Sequence, residues 1–310
     1  MRALISIGTN STRLLIVDGE RPVLHEVRGT RIGEGLHEHG PIAPEAARRT
    51  LEAVKEFAGI VRKRHARIAG IATSALRRAQ DAERFQATFE EIAGTPLQIV
   101  SGDEEAGYSF IGAVRGLHLH GENGVLDVGG GSSEYAYGDE QGAQCALSCE
   151  IGAVRLTERV RELDGRRGAA STAAVARARA IAVEALEPLR AQPKPQTLVV
   201  VGGTVFAAAA IVARQADRDK LSGMTLSRDA LEKLLEQLVL LDVAGRKKIP
   251  HMTEQRADIL PGGIIVVLSA MEILARDEIV ISSADLLYGY LISQADGETQ
   301  EAPPNITHEG

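Results

Sequence analysis

The fold is decided by two short stretches of sequence, Ser6-Ile7-Gly8-Thr9-Asn10-Ser11 and Asp127-Val128-Gly129-Gly130-Gly131-Ser132. In each stretch an apolar, strand-like segment runs into a glycine-bearing turn, and a second strand-like segment returns from it. The second stretch stands 121 residues after the first. A strand-turn-strand unit that repeats at this distance indicates an internal duplication at the scale of a whole domain.

Strand-like and helix-like segments alternate on both sides of these stretches, which is typical of the α/β class. One helix is predicted to begin at Pro44, because proline is favoured in the first turn of a helix. Two more are predicted to follow Ser171 and Ser227, each of which stands in N-cap position.

The length of 310 residues exceeds that of most single domains, so we predict two. The duplication places the first at residues 1–122 and the second at residues 123–292. The remaining residues, 293–310, are polar and contain Pro303-Pro304, so we predict a disordered tail.

Composition argues against several classes of function. The formal net charge of −7 is unfavourable for binding nucleic acid. The sequence shows no signal peptide and no apolar run of the roughly 18 residues that a membrane helix needs, so we expect a cytoplasmic protein without membrane contact. Cys145 and Cys149 are interpreted as ordinary small residues. The oligomeric state stays open, with a homodimer as one alternative.

The glycine turns indicate an anion site. Residues without a Cβ let successive backbone N–H groups converge on phosphate oxygens. A third candidate is Gly202-Gly203-Thr204, at a predicted strand-to-helix junction where the helix N-terminus also favours anions. Either of the two duplicated turns alone is equally compatible with an ordinary hairpin. Their repetition favours two turns that hold one phosphate from opposite sides.

Acidic residues flank the second turn. Folding the hairpin back would bring Asp127 near Glu134, and oxygen ligands of this kind suit Mg²⁺ completed by waters and phosphates. A solvated pair at a hairpin end is the alternative. The role of the run Asp103-Glu104-Glu105 is also undecided. Carboxylates in the first turn of a helix are stabilised by the helix dipole whatever their function.

Four ordered motifs together carry a family resemblance. They are Ile7-Gly8-Thr9-Asn10-Ser11-Thr12-Arg13-Leu14-Leu15, Ala72-Thr73-Ser74-Ala75-Leu76-Arg77, Ser101-Gly102-Asp103-Glu104-Glu105-Ala106 and Asp127-Val128-Gly129-Gly130-Gly131-Ser132-Ser133-Glu134. With them the chain resembles the exopolyphosphatase and guanosine pentaphosphate phosphatase family, a branch of the superfamily of actin, sugar kinases and chaperone ATPases. The resemblance covers nearly all of residues 1–292 and implies two actin-like, ribonuclease H-like domains with a cleft between them.

The resemblance also implies roles for individual residues. Glu105 matches the general base that activates water, and Asp127 and Glu134 match the positions that hold Mg²⁺ or Mn²⁺. Arg13 and Arg77 match basic positions that contact substrate oxygens, although either could instead pair with a carboxylate. The implied phosphate-binding residues are Gly8, Thr9, Asn10, Ser11, Arg13, Arg77, Gly129, Gly130, Gly131, Ser132, Gly202, Gly203 and Thr204.

The function implied by the resemblance is hydrolysis of the terminal phosphate of inorganic polyphosphate, with guanosine pentaphosphate or another nucleotide as a second substrate. One position departs from the family, because Ser6 stands where an aspartate is usual. A serine brings no charge to a metal site. A weakly active or inactive sensor of polyphosphate or nucleotide is therefore the alternative. A kinase of the same superfamily is disfavoured, because the Glu105 motif resembles that of hydrolases.

Overall fold

Two mixed sheets form the framework of the computed structural model, which describes residues 1–37 and 39–300. The strands of the first sheet are β1 (Arg2–Ile7), β2 (Thr12–Asp18), β3 (Arg21–Arg28), β4 (Arg67–Ala72) and β5 (Leu97–Ile99). Their order is β3-β2-β1-β4-β5. The first three strands are antiparallel, and β4 and β5 run parallel to β1.

The second sheet repeats this arrangement. Its strands are β6 (Asn123–Val128), β7 (Ser133–Asp139), β8 (Gly142–Cys149), β9 (Thr197–Val201), β10 (Thr225–Ser227) and β11 (Glu278–Ile281). Their order is β10-β11-β9-β6-β7-β8, so β8-β7-β6-β9-β11 corresponds to the whole first sheet and β10 is an addition. Strand directions match as well. The predicted duplication is therefore confirmed at the level of topology.

The hairpins β1–β2 and β6–β7 also have the same register, residue by residue. Ser6 stands opposite Arg13 in the first hairpin, and Asp127 stands opposite Glu134 in the second. In each turn the first glycine donates its N–H to the serine carbonyl three residues later, at 3.0 Å in the first turn and 3.1 Å in the second. The predicted α/β fold with two actin-like domains and an interdomain cleft is confirmed.

Helices cover both sheets, and the predicted starts at Pro44, Ser171 and Ser227 are confirmed. Pro44 is the first helical residue, and the two serine hydroxyls accept the N–H groups of Ala174 and Ala230. The twelve α-helices of the described residues are α1 (Pro44–Lys63), α2 (Ser74–Arg78), α3 (Ala82–Ala93), α4 (Gly102–Leu117), α5 (Ala153–Arg159), α6 (Thr172–Ala185), α7 (Gly203–Ala213), α8 (Arg218–Leu221), α9 (Arg228–Val239), α10 (Val243–Lys247), α11 (Leu260–Ile273) and α12 (Leu286–Gln300).

Two helices cross the predicted boundary at residue 122. Phe110 and its neighbours on α4 pack against the second sheet, at Val125 and Val199. In exchange, α12 packs Leu286 and Leu291 against the first sheet. The sheets themselves stay on their own sides of the boundary, because all strands of the first precede residue 122 and all strands of the second follow it. The two domains are therefore joined by exchanged helices as well as by the chain.

The predicted disorder of residues 293–310 is wrong for its first part, because α12 continues through Gln300. Its apolar start is docked in the core of the first sheet, so the polar residues that follow extend a helix already nucleated by packing. Residues 301–310 lie outside the described part of the chain. Within the described residues, no helix combines the length and the apolar character needed to cross a bilayer.

Candidate active site

A cavity of about 410 Å³ lies where the two domains face each other. Sequence-predicted residues supply much of its wall, namely Gly8, Thr9, Asn10, Ser11, Arg13, Glu105, Asp127, Gly129, Gly130, Gly131, Ser132, Gly202 and Gly203. Three predicted residues, Arg77, Glu134 and Thr204, do not line the cavity. The Thr204 side chain is buried against Gly263 of α11.

The two duplicated turns approach each other closely. A Cβ built on Gly131 would lie 2.8 Å from Thr9 Oγ1 and 2.7 Å from Ser74 Oγ, closer than real Cβ atoms come to other atoms. Any larger residue at position 131 would therefore have to displace the Thr9 and Ser74 side chains, and glycine lets the turns meet as they do.

Carbonyl groups in both turns are held away from the cavity. Thr9 O and Asn10 O accept N–H groups from Gly33 and Arg31, and the carbonyls of Gly129 and Gly130 accept N–H groups at the start of α5. In a trans peptide the N–H points opposite to the C=O. The next N–H groups along each turn therefore face the side opposite these partners, which leaves them available to an anion.

Several buried polar atoms of the cavity wall have no partner among the described residues. They are Ser6 Oγ, Asn10 Oδ1 and Ser74 Oγ. Buried polar groups in native proteins are nearly always hydrogen-bonded, to protein, water or ligand. Their grouping at one cavity is what a polar ligand between the two turns would require.

Glu105 is held at the cavity by the first turn of α4. Ser101 and Glu104 form a reciprocal capping box that fixes the start of this helix. Arg77 Nη1 donates to Glu105 Oε2 at 2.7 Å and to the carbonyl of Val100 at 3.0 Å. Burial raises the pKa of Glu105 to about 7, although Arg77 acts in the opposite direction. This carboxyl group therefore changes its protonation state near neutral pH.

Asp127 is the carboxylate at the end of β6 that lines the cavity. Its Oδ2 accepts the hydroxyl of Ser109 at 3.0 Å, and burial raises its pKa to about 6. Gly202, with a φ of +94°, makes room for it, because a Cβ there would lie 2.7 Å from Asp127 Oδ1. The glycine before α7 is thus needed both for its backbone conformation and for the placing of Asp127.

Glu134 is the cross-strand neighbour of Asp127. Its Oε1 accepts the hydroxyl of Ser148 at 2.8 Å and lies 3.7 Å from Arg77 Nη2, while its buried Oε2 has no hydrogen-bond partner among the described residues. Burial, with the nearby charges of Glu105 and Asp127, raises its pKa well above the usual value. Across residues 1–37 and 39–300, no three His, Cys, Asp or Glu side chains are grouped as a ready-made metal cage.

Arg13 lines the cavity and is paired at the same time. Its guanidinium donates to the buried carboxylate of Asp285, which also accepts the N–H of Leu287 at the start of α12. Arg77 is likewise bound to a carboxylate. Both arginines therefore take the pairing that the sequence left as an alternative, but their partners are buried carboxylates of the cleft rather than surface groups.

Sequence reasoning missed two further arginines of the wall, Arg218 and Arg256. Arg256 packs on the glycine turn before α7, where a Cβ on Gly203 would meet its guanidinium. Burial, followed by the charges of Arg13 and Arg218, lowers the pKa of Arg256 to about 10. Neither Arg218 nor Arg256 stands in a recognisable motif, so nothing in their sequence context distinguished them from surface arginines.

Comparisons with known proteins agree with this geometry. The sequence pattern of the Ppx/GppA phosphatase family matches residues 15–298. The chain is 35% identical to exopolyphosphatase 2 of Mycobacterium tuberculosis, over 94% of this chain and 98% of that protein. It is 28% identical to the guanosine-5'-triphosphate,3'-diphosphate pyrophosphatase of Vibrio vulnificus, over 93% of this chain but only 58% of the longer relative.

A solved structure of an exopolyphosphatase has the same fold over nearly the whole chain. An exopolyphosphatase from Cytophaga hutchinsonii superposes with a TM-score of 0.86 at 25% identity, covering 95% of this chain and 97% of that one. The family pattern and the relative that is 35% identical each extend over nearly the whole sequence. This chain therefore belongs to the Ppx/GppA phosphatase family.

Proposed function

We propose that this protein releases the terminal phosphate of inorganic polyphosphate by attack of water, and that guanosine pentaphosphate is a second substrate. The observation that carries the proposal is the meeting of two duplicated phosphate-type turns around one cavity that also holds Glu105. The names of the relatives support this choice of substrates, because one is an exopolyphosphatase and another acts on a guanosine pentaphosphate.

The two turns and the start of α7 bind the phosphates in this proposal. The backbone N–H groups of residues 10, 11, 130 and 131 face away from the partners of the carbonyls that precede them. A phosphate between them would be held by amide dipoles from both domains. The N-terminus of α7, at Gly203 and Thr204, adds the favourable end of a helix dipole.

Glu105 acts as the general base. Its carboxylate lines the cavity, and Arg77 holds it in one orientation. A base with a pKa near the working pH combines a useful fraction of the deprotonated form with enough basicity to accept a proton. Glu105 would orient the attacking water in line with the scissile bond and take its proton as the bond to phosphorus forms.

Asp127 and Glu134 are the proposed ligands of Mg²⁺, with Mn²⁺ as the alternative. They fit a divalent ion, because they are opposed, buried carboxylates with raised pKa values and one oxygen of Glu134 lacks a partner. Mg²⁺ is commonly held by one or two carboxylates, with waters and substrate phosphates as its other ligands. When bound it would supply positive charge to the phosphates, while Ser109 and Ser148 fix the two carboxylates.

The two hairpins differ in the charge they present. The first places Ser6 opposite Arg13 at the positions where the second places Asp127 opposite Glu134. The first hairpin therefore brings no carboxylate to the site, whereas the second brings two. We expect Ser6→Asp to add a carboxylate beside the proposed metal and to lower the Mg²⁺ concentration for half-maximal rate by about 10-fold.

Phosphate release as a function of Mg²⁺ concentration measures the effect of Ser6→Asp. The control is Ser6→Asn, which matches aspartate in size but lacks its charge. Ser11→Asp would not serve as a control, because Ser11 also lines the cavity. An identical Mg²⁺ dependence in all three proteins would show that Asp127, Glu134 and substrate already hold the metal without help from residue 6.

Arg77→Gln tests whether Arg77 lowers the pKa of Glu105. Arg77 favours the charged carboxylate, so its removal should raise the pKa of Glu105 further above its usual range. Because the base acts when deprotonated, the rise of kcat/KM with pH should move to higher pH. Arg84→Gln, on the exposed face of α3, is the control. A rate lowered equally at every pH would assign Arg77 to structure or substrate contact alone.

Two other functions are separated from hydrolysis by product analysis. A sensor would bind polyphosphate without releasing phosphate, and a kinase would transfer phosphate to an acceptor instead of water. We further propose a cytoplasmic location, which suits the two free cysteines Cys145 and Cys149. A homodimer without nucleic-acid partners also remains part of the proposal.

A further inference from the structure

One part of the cavity wall is apolar and is covered by the guanidinium of an arginine. Phe206, Ala207, Ala210 and Leu221 come from α7 and α8. Over this surface lies Arg218, whose Cζ is 3.9 Å from the centroid of the Phe206 ring. This is well within the range of a cation–π interaction.

Residues of the first domain also line the cavity near Arg218. His25 and Val27 of β3 line it, and Arg13 with Asp285 lies beside them. Burial, followed by the charge of Arg218, lowers the pKa of His25 to about 4, so that this histidine is neutral at pH 7. It therefore adds no positive charge, and the charge of Arg13 is matched by Asp285.

Arg218 has no such contact. Among the described residues, no carboxylate stands within ion-pair distance of its guanidinium, and Asp285, which acts on it from farther away, makes its contact with Arg13. The aromatic ring holds the guanidinium in place instead. Stacking covers one face of the guanidinium but leaves the N–H groups at its edges free to donate. Donors of this kind in a cleft are suited to the oxygens of a phosphate.

The stacking of Arg218 on Phe206 also disfavours the binding of a nucleobase at this ring. Phe206 is only 5% exposed, so the aromatic face on which a purine could stack is already covered by Arg218. The first phosphates of polyphosphate and of a nucleoside triphosphate are chemically alike. Beyond them the polyphosphate continues as an anion, whereas the nucleotide continues as a ribose and a base.

We propose that Arg218, held on Phe206, is a specificity-determining residue that binds polyphosphate beyond its first three phosphates, where a nucleotide continues as ribose and base, and so favours inorganic polyphosphate over a nucleotide. This inference rests on the proposed function of the cavity. Removing the Arg218 guanidinium should therefore weaken the binding of polyphosphate selectively. The general base and the groups that bind the reacting phosphate are other residues, so they should be unaffected.

Binding in a Glu105→Gln background tests the inference without turnover. Calorimetry would compare polyphosphate of one defined length with guanosine triphosphate, a probe that has a terminal triphosphate followed only by ribose and base. Arg218→Gln should raise the Kd for polyphosphate by about 10-fold, the effect of losing a charge-assisted hydrogen bond. The Kd for guanosine triphosphate should change by less than about 3-fold. Lys220→Gln, an exposed charge removed from the same helix, should change neither.

Phe206→Leu provides an independent variant that keeps the apolar volume and removes the ring. It should weaken polyphosphate binding only while Arg218 is present, so the two substitutions should be non-additive. Equal losses for both ligands, a loss confined to guanosine triphosphate, or no loss at all would each overturn the inference. If wild-type protein releases no phosphate but the selective loss remains, the proposed hydrolysis fails while the role of Arg218 stands.

Discussion

Glu105→Gln is expected to lower the rate of phosphate release from polyphosphate by about 100-fold or more, while leaving substrate binding nearly unchanged. Glutamine keeps the size of the side chain but is not a base, and general base catalysis commonly contributes a factor of this order. Arg77 can still donate to the amide oxygen, so the local structure should survive. The loss should therefore fall on kcat, with little change in KM.

Asp103→Asn is the matched control for that substitution. Asp103 is an exposed carboxylate in the same first turn of α4, two residues away from Glu105. Its replacement removes the same charge from the same helix end, so it reports any general effect of the helix dipole. Equal turnover by wild type and Glu105→Gln would remove Glu105 from the role of base.

Asp127→Asn is expected to have the second large effect, on the Mg²⁺ requirement. The amide keeps a hydrogen bond with Ser109 but removes the negative charge that borders the cavity. We expect the Mg²⁺ concentration for half-maximal rate to rise by at least about 10-fold. Activity at saturating Mg²⁺ should recover in part, because Glu134 and the substrate phosphates remain. Phosphate release across a Mg²⁺ series measures this directly.

Glu140→Gln serves as the control for Asp127→Asn. Glu140 is an exposed carboxylate at the far end of the β7–β8 hairpin, where it accepts the N–H of Gly121. Its variant should have the Mg²⁺ dependence of the wild type. If Asp127→Asn also keeps that dependence, the opposed carboxylates are a structural pair of the hairpin and the metal is held elsewhere.

Much of the fold was predictable because the duplication is local in sequence. Each hairpin is specified by a few consecutive residues, so its turn and its register followed from the glycines and the apolar strands beside them. The helix starts were predictable for the same reason, because an N-cap serine acts on residues within one turn.

Elements fixed by tertiary packing were harder to predict. The helix α11 opens with Leu260-Pro261-Gly262-Gly263, which locally resembles a turn, and is buried on nearly every side. It therefore lacks the one-sided apolar stripe by which a surface helix is recognised. The close packing of α11 explains its glycines, since a Cβ on Gly263 would meet the Thr204 side chain.

The site was predictable only where a motif carried it. Asp285 and Arg256 enter the cavity from segments far along the chain, and neither is part of a repeated or glycine-rich pattern. Sequence spacing also could not show that Arg77 lies within ion-pair distance of both Glu105 and Glu134, or that Arg77 and Glu134 do not line the cavity. Such relations depend on distances that only the folded chain defines.

Phosphate release from inorganic polyphosphate of defined length, with and without Mg²⁺, distinguishes a phosphohydrolase from a binding protein. We expect wild-type protein with Mg²⁺ to shorten the chain from its end, one phosphate at a time, with one free phosphate released for each step. Omitting the metal or introducing Glu105→Gln should abolish most of that release. Tight binding of polyphosphate by wild-type protein without any phosphate release, at every Mg²⁺ concentration, would instead show that the protein binds polyphosphate without hydrolysing it.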